Sequence, residues 1–237
     1  MIRALILCAL LPQGAAAGCR QALALGLDVS GSVDAAEYRL QLDGLAAALT
    51  SDAVQQVLFA QPDAPIRITV YEWSGPEDQS IILPWTPLTA PDDLARATTT
   101  LRAHQRGRAA PTTAIGSAML AGFALLADQT DCWKRTLDLA GDGPANTGPR
   151  PQDIGHDLLP GGVIVNGLVI GSGDQRGDDE RVADIKALSS YYRNYVLRGP
   201  GAFVESALGF DDYAAAMERK LLRELQSIAI GHAAPPQ

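Results

Sequence analysis

The sequence is poor in lysine, histidine and cysteine. Only Lys134, Lys186 and Lys220 are lysines among 19 basic residues, against 27 acids and a formal net charge of −8. That balance argues against nonspecific nucleic-acid binding and against adhesion to anionic lipid, both of which need a basic field. The three histidines, His104, His156 and His232, lie in unrelated contexts, and no His-Glu-x-x-His pair is present to hold a catalytic zinc. There is no Gly-x-x-x-x-Gly-Lys phosphate loop, and Gly171-Ser-Gly173 lacks the third glycine of a dinucleotide fingerprint. Ser30 precedes a glycine, but Asp28 stands where a nucleophile elbow requires glycine. No complete catalytic constellation is found, so the chain does not read as an enzyme. Low-complexity blocks, internal repeats and a convincing domain boundary are also lacking.

What is present suits one α/β domain: 237 residues, 47% of them hydrophobic, enough to bury a real core. The preference for arginine over lysine, with abundant Ala and Gly, reads as genome composition rather than chemistry. Residues 1–17 read as a signal peptide, with Arg3, an apolar stretch Ala4 to Leu11, and Ala15-Ala16-Ala17 as the cleavage site. The stretch is too short to span a bilayer, so no transmembrane segment is expected after cleavage. The expected destination is the periplasm or the exterior, with the domain over 18–232 and a frayed tail at 233–237. Losing Arg3 takes the net charge from −8 to −9.

Ala16-Ala17-Gly18-Cys19 admits a second reading, lipoprotein anchoring at Cys19, but the large aliphatic residue three before the cysteine is missing. Pairing with Cys132 is the better expectation. Cys8 departs with the leader, leaving two cysteines in an oxidising compartment. Cys19 lies nine residues before Asp28 and Cys132 ten before Asp142. If both aspartates end neighbouring parallel strands, the cysteines sit one strand spacing apart, about 4.8 Å, within reach of a disulfide.

Apolar runs alternate with helical patterns, which predicts a doubly wound, mostly parallel open sheet of about six strands with helices on both faces. Strands are expected at Ala22–Leu27, Ile66–Trp73, Ser80–Leu83, Thr136–Ala140, Val163–Ile170 and Ala202–Glu205. Ser74-Gly75-Pro76-Glu77-Asp78 predicts a turn, making the third strand an antiparallel edge. Helices are expected from Asp34, with Glu37 completing a capping box, over Pro91–His104, from Thr112 or Thr113 to Ala127, and over Asp178–Tyr191. A last amphipathic helix carries Tyr213, Met217, Leu221, Leu225 and Ile228 on one stripe. Asp138 and Asn166 interrupt adjacent strands at the same depth, so a shared hydrogen bond is predicted, since a lone buried carboxylate is costly. The acidic run Asp174, Asp178, Asp179, Glu180 reads as a helix N-terminus favoured by the dipole rather than a second cation site.

Three fragments make sense only together: Asp28-Val-Ser30-Gly-Ser32, Thr113, and Gly-Asp142-Gly. Each lies where a strand-like run ends or a helix begins. Alternate residues of an extended loop point the same way, so Asp28, Ser30 and Ser32 can face one ion. Ligands collect outside the carboxyl ends of strands in such sheets, and hydroxyls with carboxylates suit a hard cation such as Mg²⁺, or Mn²⁺ or Ca²⁺. Taken singly, Ser and Asp at strand ends are caps and turns; their conjunction carries the reading. Glu72 and Trp73 end the second strand and are candidates for a binding surface, with core packing the alternative for Trp73.

The fragments, with Ala-Ile-Gly116 following Thr113, resemble the metal-ion-dependent adhesion site of von Willebrand factor type A domains, in element order over nearly the whole mature chain. Ala-Gly-Asp142-Gly and Gly-Pro-Gly-Ala-Phe203 look closest to an uncharacterised family of exported bacterial proteins with this domain. The resemblance implies that Ser30, Ser32 and Thr113 donate hydroxyl oxygens, that Asp28 and Asp142 act directly or through water, and that a partner protein's Asp or Glu carboxylate completes the octahedron. Pro111-Thr112 departs from the usual glycine-rich approach to the threonine. The resulting expectation is a cation-dependent protein-binding module. The alternatives are a Mg²⁺-dependent phosphoesterase on the same site, which would need a further nucleophile or base, and a structural cell-envelope module with a vestigial site. Partner identity and oligomeric state are not legible.

Overall fold

The structure, a computed structural model, describes residues 18–171 and 178–226. The expected leader, Asp174 of the acidic run, Ile228 of the last stripe and the tail lie outside the described residues. Six strands form one sheet: β1 (Cys19–Asp28), β2 (Ile66–Trp73), β3 (Gln79–Leu88), β4 (Cys132–Gly141), β5 (Val163–Ile170) and β6 (Val204–Ala207). Their order is β3-β2-β1-β4-β5-β6, all pairs parallel except β2 with β3. Strand order therefore reverses beside β1, and the crevice between the carboxyl ends of β1 and β4 is the switch point where such sheets bind ligands.

The helices are α1 (Ala35–Leu49), α2 (Asp52–Leu58), α3 (Pro91–Ala103), α4 (Ile115–Ala127), α5 (Asp178–Tyr191) and α6 (Tyr213–Gln226). A π-helical turn, Tyr192–Val196, continues α5. Because side chains alternate along a strand, β1 feeds two cores. Leu23, Leu25 and Leu27 pack with α1, α3 and α6, while Ala22 and Ala24 pack with α4, α5 and Tyr192. Every residue of β1 is buried, as a central parallel strand requires. Asp34 caps α1, accepting from the Ala36 and Glu37 amides, while Glu37 accepts from the Asp34 amide. Tyr38, Leu42, Leu45 and Leu49 form its buried stripe.

Sequence periodicity placed β2, β5 and α5 at the bounds observed, but shortened β1, β3 and β4. Burial on both faces leaves the ends of β1 without an alternating signal, the start of β4 runs through the exposed or half-buried Trp133-Lys134-Arg135, and Pro84 and Pro87 hide in the edge strand β3, where a missing amide is tolerated. The last strand lies at Val204–Ala207, two residues beyond the expected Ala202–Glu205. Gly199 and Gly201 both adopt positive φ, so the chain is still turning there. Cys19 and Cys132 pair in register and form a disulfide with Cα atoms 4.2 Å apart.

The predicted Asp138–Asn166 hydrogen bond is absent, although the two residues do stand opposite each other. Asn166 instead donates to Glu224 Oε1 at 3.1 Å and accepts from the Phe203 amide at 3.0 Å, while Asp138 contacts Lys220. Glu224 and Lys220 come from α6, which packs across the sheet and is remote in sequence.

Candidate metal centre

Asp28 closes β1, where its carbonyl accepts from Gln41 Nε2 at 3.0 Å. The chain then turns: the Ser30 amide donates to Asp28 Oδ1 at 2.8 Å and the Val33 amide to the Ser30 carbonyl at 3.1 Å. Arg106 fastens the turn from outside, donating through Nη2 to the carbonyls of Val29 and Ser30 at 2.7 and 3.0 Å. Thr113 precedes α4, held by a reciprocal pair with Asn146: its amide donates to Asn146 Oδ1 at 2.9 Å, and the Asn146 amide donates to its carbonyl at 3.0 Å. The next residue's amide donates to the Ser74 carbonyl at 2.7 Å. Gly116 lets α4 approach that loop, since a Cβ there would stand 1.9 Å from the Pro149 carbonyl oxygen.

These supports bring the five predicted donors together. Thr113 Oγ1 lies 3.3 Å from Ser30 Oγ, which lies 3.3 Å from Ser32 Oγ; Ser32 donates to Asp142 Oδ1 at 2.8 Å. Asp28, Ser30 and Thr113 are buried, Asp142 is half-buried and Ser32 is exposed, so the cluster opens to solvent on the Ser32–Asp142 side. Thr113, the residue the resemblance implies, belongs to this chain of hydroxyls, and Thr112 does not.

The electrostatics describe a site short of positive charge. Burial, then the neighbouring Asp142 carboxylate, pushes the Asp28 carboxyl up to about 7, and burial raises Asp142 as well. Asp28 Oδ2 is buried and has no hydrogen-bond partner, a rarity that calls for a cause. Two raised carboxyls, one of them raised in part by the other and left with an orphaned oxygen, beside three hydroxyls, fit a hard divalent cation. Among the described residues no three His, Cys, Asp or Glu side chains cluster as a ligand set, so the donor chemistry is that of hydroxyls with two acids.

Tyr192 was not singled out from the sequence. Its ring is fully buried, its hydroxyl has no partner, and a Cβ on Gly141 would lie 2.6 Å from that hydroxyl and 3.2 Å from Asp28 Oδ2. Both orphaned oxygens thus converge on the glycine before Asp142. Nothing in the spacing of Tyr191-Tyr192 signals this; Tyr192 opens the π-helical turn that follows α5. Arg106 and Asn146 likewise act through backbone contacts that no motif records.

Trp73 takes the core-packing alternative, and Glu72 is buried as well. Trp73 is fully buried among the α4 side chains, which removes it from any binding surface. The Glu72 carboxylate is also buried, accepting from the Tyr38 hydroxyl and standing 3.4 Å from His104 Nε2. Asp179 and Glu180 sit in the first turn of α5. A groove of about 410 Å³ starts at Asp142 and runs along Pro144, Ile170, Ile185, Leu188 and Tyr191.

The family described as "Protein of unknown function (DUF1194)" matches residues 18–229. No curated protein matches the sequence. Among solved structures the fold is similar to that of proximal thread matrix protein 1 from the mussel byssus, in a form with a zinc-occupied MIDAS motif, at TM-score 0.59 and 16% identity, covering 88% of this chain and 46% of that one. It is similar too to the pilus adhesin SpaC from Lactobacillus rhamnosus GG, at TM-score 0.54 and 14% identity, covering 89% and 30%. A third is an aerotolerance-related membrane protein from Bacteroides fragilis, at TM-score 0.51 and 15% identity, covering 85% and 98%. The chain thus spans less than half the length of the byssus and pilus proteins. At such identities the likeness is one of fold, and the fold is von Willebrand factor type A-like.

Proposed function

The chain belongs to this family, and on that premise we propose that it is an exported, divalent-cation-dependent protein-binding module. Asp28, Ser30, Ser32, Thr113 and Asp142 would hold the ion, Mg²⁺ by donor chemistry with Mn²⁺ or Ca²⁺ as substitutes. When bound, the ion supplies an open position for an Asp or Glu carboxylate of a partner. The observation that carries this reading is the orphaned, buried Oδ2 of Asp28 beside a second raised carboxyl.

The chain's own residues divide the work. Asp28 and Asp142 contribute negative charge, and the hydroxyls complete the ligand set without adding more. Arg106, Gln41 and Asn146 fix the loops so that little ordering remains to be done on binding. Ser32 and Asp142 border the open side, and the apolar groove beginning at Asp142 offers surface to the side chains flanking the partner's carboxylate. The leader expected at residues 1–17 and the Cys19–Cys132 disulfide support an oxidising, exported setting.

Thermal unfolding of the mature protein in EDTA, Mg²⁺, Mn²⁺ and Ca²⁺, alongside Asp142→Ala, tests the reading. A ligand that binds only the folded state raises the midpoint. The expected result is a rise with divalent ion that Asp142→Ala abolishes. A wild-type midpoint and a direct titration that both ignore divalent ions would sink the proposal and leave a structural role.

A further inference from the structure

On the far side of the sheet from α4, α6 buries an amine and two carboxyls together. Lys220 is fully buried, as is Glu224 one turn later on the same face. Lys220 Nζ is in direct contact with Asp138 Oδ1 and lies 3.4 Å from Glu224 Oε2. The Phe203 ring is 5.4 Å from that nitrogen. Gln21 Nε2 donates to Thr136 Oγ1 at 3.0 Å and to Glu224 Oε1 at 3.4 Å, and Lys134 Nζ donates to the Glu224 carbonyl at 3.0 Å. The metal reading uses none of these side chains.

As an ion-pair cluster the arrangement is poor. Fully ionised, it sets two buried carboxylates against one fully buried ammonium and the half-buried Lys134, and charges in a dry interior are costly unless each is well paired. Neither Asp138 oxygen makes a hydrogen bond of ordinary geometry, despite the contact with Lys220. Glu224, by contrast, accepts from Asn166 and Gln21. Burial, then Glu224, raises Asp138 well above its ordinary value, whereas burial also raises Glu224 but is outweighed by Lys220, Asp138 and Lys134, which leave it lowered. Lys220 is drawn down by burial, but the two acids outweigh this and leave it raised. The cluster thus holds a neutral acid, an ammonium and a carboxylate base in contact.

We propose that the Lys220 amine and the Asp138 carboxyl condense into an amide that cross-links α6 to β4, with Glu224 carrying the protons. Glu224 takes a proton from the Lys220 ammonium, freeing the nitrogen lone pair. Nζ attacks Asp138 Cγ and the N–C bond forms. A second amine proton passes through Glu224 to the departing Asp138 hydroxyl, the C–O bond breaks and water leaves. Glu224 ends protonated beside the new amide, so atoms and charge balance with no oxidant or cofactor. The fold supplies what the reaction lacks in solution: the partners are fixed on rigid elements, and the site is dry around the departing water. Glu224 is the catalytic residue in this scheme, since it touches the reacting nitrogen.

Intact mass of the mature, folded, reduced and alkylated wild-type protein tests this directly. The expected mass is one water below that calculated for the alkylated sequence, and a digest yields a branched peptide joining the β4 and α6 segments at Asp138 and Lys220. Asp138→Asn is expected to expel ammonia and give a product of the same mass as the linked wild type. Lys220→Met should show the full mass of its sequence, and Glu224→Gln should remain largely unlinked while its circular dichroism stays native. Folded wild type at full sequence mass, with separate β4 and α6 peptides, would overturn the cross-link whether or not the variants fold. Complete linkage in Glu224→Gln would overturn the role given to Glu224. The mass is read without divalent ion, so this result stands apart from the metal reading.

Discussion

Asp28 carries the pH dependence of the site. Its carboxyl is held at about 7 against an ordinary 3.8, so the folded chain binds that proton more tightly than the unfolded chain. The stability it contributes is complete below pH 3.8 and lost as pH rises through about 7. The gap corresponds to about 4 kcal/mol. The unfolding midpoint in EDTA is therefore expected to fall between pH 4 and 7, with a shallower fall in Asp28→Asn. Divalent-ion affinity should rise over the same range, because the ligand must shed its proton. Tyr192 gives a second test at this scale. Its hydroxyl has no partner and closes on the same point as Asp28 Oδ2. As an outer donor to that carboxylate it should be worth roughly tenfold in metal affinity. Tyr192→Phe is expected to weaken binding by that factor in a calorimetric titration while leaving the EDTA midpoint level or slightly higher. A lower EDTA midpoint with unchanged affinity would make the phenol a packing group only.

Among the elements, β1 and β4 bear the most. They carry Asp28 and Asp142 at one end and the disulfide at the other, closed across 113 residues of sequence. Removing a cross-link of that span costs about 4–5 kcal/mol on the chain-entropy account. The Cys19→Ser/Cys132→Ser double variant is expected to lose about that much in denaturant unfolding, with metal affinity nearly intact because the site lies at the opposite strand ends. An affinity loss matching the stability loss would show that the strand ends are not independent. The elements were legible to different degrees. Asp34 and Glu37 announced α1, and the stripe from Tyr213 to Leu225 announced α6. The short helix α2 was not foreseen, because seven residues show too little periodicity.

The whole molecule is acidic, and its candidate centre concentrates that charge. Divalent ions are drawn to such a surface, and added salt screens the attraction. Raising sodium chloride at constant pH should weaken Mg²⁺ binding in titration, whereas capture of an acidic partner with the ion in place should lose less, since screening also relieves repulsion between the two proteins. No helix among the described residues is long and apolar enough to cross a membrane. The structure is held from both sides of β4, by Cys132 to β1 and by Asp138 to α6.

The sequence by itself determined which residues form the candidate centre. Asp28, Ser30, Ser32, Thr113 and Asp142 are local signals, each set by where a strand ends or a helix begins, and their chemistry is readable without coordinates. It also determined the alternation of strands and helices and the register that pairs Cys19 with Cys132. Tertiary structure alone decided what surrounds those residues. Tyr192 closes on the same point as Asp28 Oδ2, Trp73 is drawn into the core, and Lys220 and Glu224 reach Asp138 from a helix more than eighty residues away in sequence. The physical reason is that periodicity and capping act over a few residues, whereas the partner of a buried polar group is chosen by packing between elements.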